Sequence, residues 1–73
     1  MCGIFGVLSD GPVVNKIIKG LHKLEYRGYD SSGVSVVVDQ NIQTIRAQGK
    51  LINLKKKLSN KKIEGTLGIG HTR

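Results

Sequence analysis

Residues 10–24 read Asp10-Gly11-Pro12-Val13-Val14-Asn15-Lys16-Ile17-Ile18-Lys19-Gly20-Leu21-His22-Lys23-Leu24. Val13, Val14, Ile17, Ile18, Leu21 and Leu24 recur at spacings of three and four, which places them on one stripe of a helix. Lys16, Lys19 and Lys23 fall on the other side. Pro12 suits a first helical turn, where its missing N–H costs nothing, and Asp10 or Gly11 is expected to cap it. Gly28 is expected to end the helix in the left-handed conformation.

Upstream, Gly3–Ser9 (GIFGVLS) reads as a short buried strand. Downstream, Tyr26–Gly33 (YRGYDSSG) reads as a polar, glycine-bracketed loop, a connector or a functional surface. Val34–Val38 is a β-branched strand, Asp39-Gln40-Asn41 a turn, and Ile42–Ala47 the return strand of a hairpin. Gly49 breaks that strand. Leu51, Ile52, Leu54 and Leu58 predict a short basic helix ending near Asn60, and Glu64-Gly65 a turn. Thr66–Gly70 begins a last strand. The order strand, helix, hairpin, helix, strand predicts an α+β arrangement without internal repeats. A strand that runs to Arg73 would leave an edge and an apolar face without neighbours, which reads as a fragment of something larger.

Size supports the same expectation. The chain has 73 residues and is 38% hydrophobic. A chain this short buries only about 60% of the surface its unfolded form exposes. Small domains usually need a staple. One Cys cannot form an internal disulfide, and Cys2, His22 and His71 are too scattered for a zinc site. No pattern calls for a cofactor.

Twelve basic and five acidic residues give +7, with Lys55, Lys56, Lys57, Lys61 and Lys62 clustered. Two readings follow: a solvated face, or a small basic nucleic-acid-binding module. Only Phe5, Tyr26 and Tyr29 are aromatic, a poor platform for stacking bases. No apolar run reaches the roughly 18 residues of a membrane span. A lone Cys without an export signal points to a cytoplasmic location.

Cys2 follows Met1. Removal of Met1 would leave a thiol and a free α-amino group on one residue. Their reference pKa values lie near about 8.5 and about 7.7–8.0. The amine can therefore take the thiol proton near neutral pH and activate its own nucleophile toward a carbonyl. The plain alternative is a small residue at a frayed end. His22 reads as a helix boundary residue and His71 as a packing or hydrogen-bonding residue. Asp30 and Ser31 read as a side-chain-to-backbone turn, and Asp39 and Glu64 as ordinary surface.

Three segments carry a more specific signal. Cys2-Gly3-Ile4-Phe5-Gly6 resembles the start of class II glutamine amidotransferases. Leu24-Glu25-Tyr26-Arg27-Gly28-Tyr29-Asp30-Ser31-Ser32-Gly33 resembles a segment of the glutamine–fructose-6-phosphate aminotransferase branch. Gly70-His71-Thr72-Arg73 resembles the His-Thr-Arg segment of that branch, with Gly70 where Ala is common. The three stand in the family's order across the whole chain.

The resemblance implies an N-terminal-nucleophile hydrolase fold, four layers (α/β/β/α), of which residues 1–73 would be a truncated N-terminal part. It implies Cys2 as the nucleophile on the glutamine side-chain amide. Arg73 would pair with the glutamine carboxylate, a task suited to its bidentate fork. Arg27 and Gly28 would support the nucleophile. In the full enzyme the ammonia released would serve glucosamine 6-phosphate synthesis from fructose 6-phosphate. The family's oxyanion donors, an Asn-Gly pair, would lie beyond Arg73. Losing one such donor alone costs about 100- to 1000-fold. The chain is therefore expected to be inactive alone, with glutamine as substrate only in the full enzyme or with the remainder of a split one.

Overall fold

The computed structural model describes residues 2–25 and 28–73. Six elements follow in order: β1 (Gly3–Leu8), α1 (Val14–Lys23), β2 (Ser31–Val38), β3 (Asn41–Gln48), α2 (Leu51–Ser59) and β4 (Leu67–Thr72). The strands form one antiparallel sheet in the order β1-β4-β2-β3. This is a small α+β fold with the predicted element order.

One face of the sheet carries both helices. Ile17, Ile18 and Leu21 of α1 and Leu51, Leu54 and Leu58 of α2 bury themselves with Val13, Val34, Val36, Ala47 and Ile63. The stripe predicted for α1 is therefore the core stripe, with Val14 and Leu24 packed partly against it. Burial of a Leu or Ile side chain contributes about 1.5–3 kcal/mol, so these residues set the stability.

Several boundaries differ from the sequence reading. The residue capping α1 is Val13, not Asp10 or Gly11, and no side chain caps the helix. Val13 instead donates its N–H to the Gly65 carbonyl at 3.0 Å, tying the helix start to the approach to β4. At the other end α1 stops at Lys23, capped by Leu24. Gly28 does adopt positive φ (+75°), but four residues beyond that cap.

β2 begins at Ser31 rather than Val34. Ser31, Ser32 and Gly33 pair with Gln48, Ala47 and Arg46, and Ser32 and Gly33 also face Thr72 and His71. Partners on both sides override their weak strand propensity. The hairpin turn is Asp39-Gln40, both at positive φ, as a two-residue turn between twisted strands requires.

Two expectations about edges are corrected. β4 has no free edge: it lies between β1 and β2. β1, read as buried, is an edge strand with no fully buried residue. The expected uncovered apolar face is present. Ile4 and Leu8 of β1, Leu67 and Ile69 of β4, Val37 of β2 and Ile42 of β3 alternate with the core-facing residues and are exposed, Ile4, Leu8 and Ile42 by more than 70%. No helix among the described residues is long and apolar enough to cross a membrane.

Candidate functional site

The pairing of β1 with β4 puts Gly3 opposite Thr72. One further step of that register sets Cys2, just before β1, against Arg73, just after β4. Both are exposed at the same end of the sheet. Together with Gly3, Ile4, His71 and Thr72 they line one open cavity of about 400 Å³. The two residues most separated in sequence are thus neighbours because β4 returns to pair with β1. Cys2 is a free, exposed cysteine.

The backbone of Arg73 is held from β2. Its N–H donates to the Ser31 carbonyl at 2.9 Å. Its carbonyl accepts from the Asp30 N–H and, at 3.4 Å, from the Ser31 N–H. The start of β2 therefore fixes where the Arg73 side chain leaves the chain. Asp30 and Ser31 take part through backbone groups, in place of the side-chain turn expected for them.

Glu25, Tyr29 and Leu51 connect this clamp to the helices. The Tyr29 hydroxyl donates to Glu25 Oε2 at 2.7 Å and accepts from the Leu51 N–H at 2.6 Å. Glu25 Oε1 lies 2.6 Å from His22 Nδ1. The Tyr29 hydrogen bond, with help from His22, holds the Glu25 carboxyl below its ordinary range despite partial burial. Burial and the Glu25 carboxylate push the Tyr29 phenol up. The sequence reading did not single out Tyr29 or Glu25. No helical spacing marks the pair, because Glu25 and Tyr29 both lie beyond the end of α1 at Lys23 and their third partner, Leu51, stands 22 residues further along the chain.

Of the remaining expected residues, Gly28 is exposed and donates its N–H to the Glu25 carbonyl at 3.1 Å. Arg27 and Tyr26 lie outside the described residues. His71 is half-buried on the open sheet face, its imidazole lying across Gly33. In the lysine cluster, Lys55, Lys56, Lys57, Lys61 and Lys62 are all exposed. Lys57 Nζ donates to the Arg46 carbonyl at 2.7 Å, and Lys62 pairs with Glu64 at 3.4 Å.

No protein-family model matches the chain. Curated relatives do. The chain is 53% identical over all 73 residues to the glutamine–fructose-6-phosphate aminotransferase (isomerizing) of Synechocystis sp.. It is 51% identical over the same length to that of Bartonella quintana, and 48% to that of Clostridium tetani. In each case the alignment covers 100% of this chain and 12% of the relative. The chain therefore spans about an eighth of the length of the curated relatives it matches. Over its full length, it matches the N-terminal segment of the glutamine–fructose-6-phosphate aminotransferases.

Proposed function

We propose that residues 1–73 are the N-terminal part of a class II glutamine amidotransferase domain and carry its nucleophile, Cys2, and its carboxylate clamp, Arg73. The observation that supports this best is their placement at one end of the β1–β4 pair, on one open cavity. In the whole protein, as the relatives' name indicates, the nitrogen of glutamine goes to fructose 6-phosphate. Arg27 and Gly28 support the nucleophile.

The chemistry is nucleophilic acyl transfer. With Met1 removed, the Cys2 α-amine takes the thiol proton. Sγ attacks the side-chain amide carbon of glutamine. The C–N bond breaks, the leaving nitrogen takes the proton and departs as ammonia, and a thioester to Cys2 remains. Water adds to the thioester, the C–S bond breaks, and glutamate and the free thiol are restored. Arg73 pairs with the α-carboxylate of glutamine and so sets the distance of the reacting amide from Sγ.

The same reading accounts for the open sheet face. In an α/β/β/α hydrolase fold a second sheet covers the first on the side away from its helices. Here that side bears Ile4, Leu8, Val37, Ile42, Leu67 and Ile69. The remainder of the domain, in the same chain or a separate one, supplies that layer and the oxyanion donors. The 73-residue chain alone turns over glutamine negligibly. Its lone, unpaired Cys suits the reducing cytoplasm.

A diazoketone analogue of glutamine tests the assignment. The chain is expected to gain one adduct mass, mapped to Cys2, with glutamine protecting. Labelling elsewhere, or equal labelling of Cys2→Ser, removes Cys2 as nucleophile. Arg73→Ala is expected to raise the analogue concentration needed for half-maximal labelling. An unchanged value removes the clamp.

A further inference from the structure

Arg73 owes its place to a short piece of backbone, and one hydroxyl next to that piece ties it to both helices. The Asp30 and Ser31 N–H groups and the Ser31 carbonyl bind the Arg73 backbone. The Asp30 carbonyl accepts from the Gly49 N–H at 2.7 Å, just before α2. Tyr29, next in the chain, anchors both sides of this junction. Its hydroxyl donates to Glu25 beyond the end of α1 and accepts from Leu51 in the first turn of α2. No side chain caps α2 from its own N-cap residue, Lys50, so the phenol supplies an acceptor that a local Ser, Thr or Asp would otherwise supply. The acceptor comes from 22 residues upstream, which makes it a tertiary tie.

From this arrangement we propose that Tyr29 is a positioning residue for Arg73: its hydroxyl locks the Tyr29–Ser31 backbone between the two helices and thereby aims the guanidinium at its carboxylate ligand. The functional half rests on the glutaminase reading above. Tyr29 touches no reacting atom. Its effect passes through the Asp30 and Ser31 backbone, so it bears on ligand affinity and leaves the Cys2 thiol as it is. A misplacement of about 1 Å at such a clamp is enough to cost binding and rate.

The test has two arms on the full 73-residue chain. The first is amide hydrogen exchange at Asp30, Leu51 and Arg73 in the unsubstituted chain, in Tyr29→Phe and in Asn53→Ala. Tyr29→Phe keeps the ring and removes only the hydroxyl. Asn53→Ala loosens the same helix start by removing the bond to the Gln48 carbonyl, without touching Tyr29. Exchange at Asp30 and Arg73 is expected to quicken about three- to tenfold in Tyr29→Phe, the worth of an ordinary hydrogen bond, and to stay unchanged in Asn53→Ala. No change at Arg73 in Tyr29→Phe, or an equal change in both variants, overturns the proposal.

The second arm compares labelling of Cys2 by the glutamine analogue and by iodoacetamide, which needs no carboxylate clamp. Tyr29→Phe is expected to raise the half-saturating analogue concentration and leave iodoacetamide alkylation unchanged. If Arg73→Ala raises that concentration and Tyr29→Phe does not, the positioning role is wrong. If Arg73→Ala has no effect either, the clamp reading fails instead, and the exchange arm alone decides whether Tyr29 fixes Arg73.

Discussion

Gly70 in β4 lies against Ile17 in α1 with no space for a methyl group between them. A Cβ at residue 70 would run into Ile17 Cγ2 and stand 3.1 Å from Leu21 Cδ1. Both neighbours are fully buried and cannot swing into solvent. The small residue is what lets α1 settle onto the middle of the sheet.

Gly70→Ala should therefore destabilise the fold by about 1–3 kcal/mol, the usual cost of overpacking a core. Gly6→Ala makes a matched control. It sits in the neighbouring strand on the open face, where an added Cβ would meet Ile69 Cγ2 at 3.7 Å, an ordinary contact. It should change stability by no more than about 0.5 kcal/mol. Urea denaturation of the two variants reads the difference, and equal losses would contradict the packing described.

Acid should act through Glu25. Its carboxyl is held below the ordinary value of 4.5, first by the Tyr29 hydroxyl and then by His22, with Lys55 adding a favourable charge. A lowered folded-state pKa contributes stability that is complete above the unfolded value and lost as pH falls through the folded one. The loss should begin below about pH 4.5, and Glu25→Gln should show a shallower loss there. A pH series of urea midpoints for both chains checks it.

Alkali should act on the other partner of the same bond. Burial, then the Glu25 carboxylate, raise the Tyr29 phenol above its ordinary 10.0, while the Leu51 N–H works the other way. A raised pKa gives stability that is present below the unfolded value and lost as pH climbs through the folded one. The Tyr29 phenolate band should appear at higher pH than that of a free tyrosine, and Glu25→Gln should bring it closer. Ultraviolet titration of a Tyr26→Phe background isolates Tyr29.

What the sequence made legible was what repeats locally. The Val13–Leu24 stripe, the β-branched run at Val34–Val38 and the Leu51–Leu58 spacing each announced an element, because burial selects apolar residues at the period of the element. The misreadings share another cause. Ser31-Ser32-Gly33 looked like loop and is strand, since its partners come from Gln48 and Thr72, far along the chain. β4 looked like an unpaired end and is central, because strand order is not written in any one segment. At the site, Cys2 and Arg73 were named from motif resemblance. Their adjacency and the Tyr29 tie needed the β1–β4 register and the loop before β2.

The open sheet face gives the last prediction. Leu8 and Leu54 are both leucines in regular elements, one 78% exposed on the uncovered side and the other 0% in the core. Leu54→Ala removes packed contacts and leaves a cavity, at a cost of about 2–5 kcal/mol. Leu8→Ala removes a side chain that water already surrounds, so the change should stay within about 0.5 kcal/mol. The same contrast should appear in solution behaviour. An uncovered patch built from Ile4, Leu8, Val37, Ile42, Leu67 and Ile69 is larger than scattered surface residues and should bind an apolar dye and promote self-association. Replacing Leu8, Ile42 and Ile69 together by Thr should reduce both and leave the helical circular dichroism unchanged. If Leu8→Ala costs as much as Leu54→Ala, this face is already covered in the chain as it stands, and the second layer inferred above is not needed to cover it.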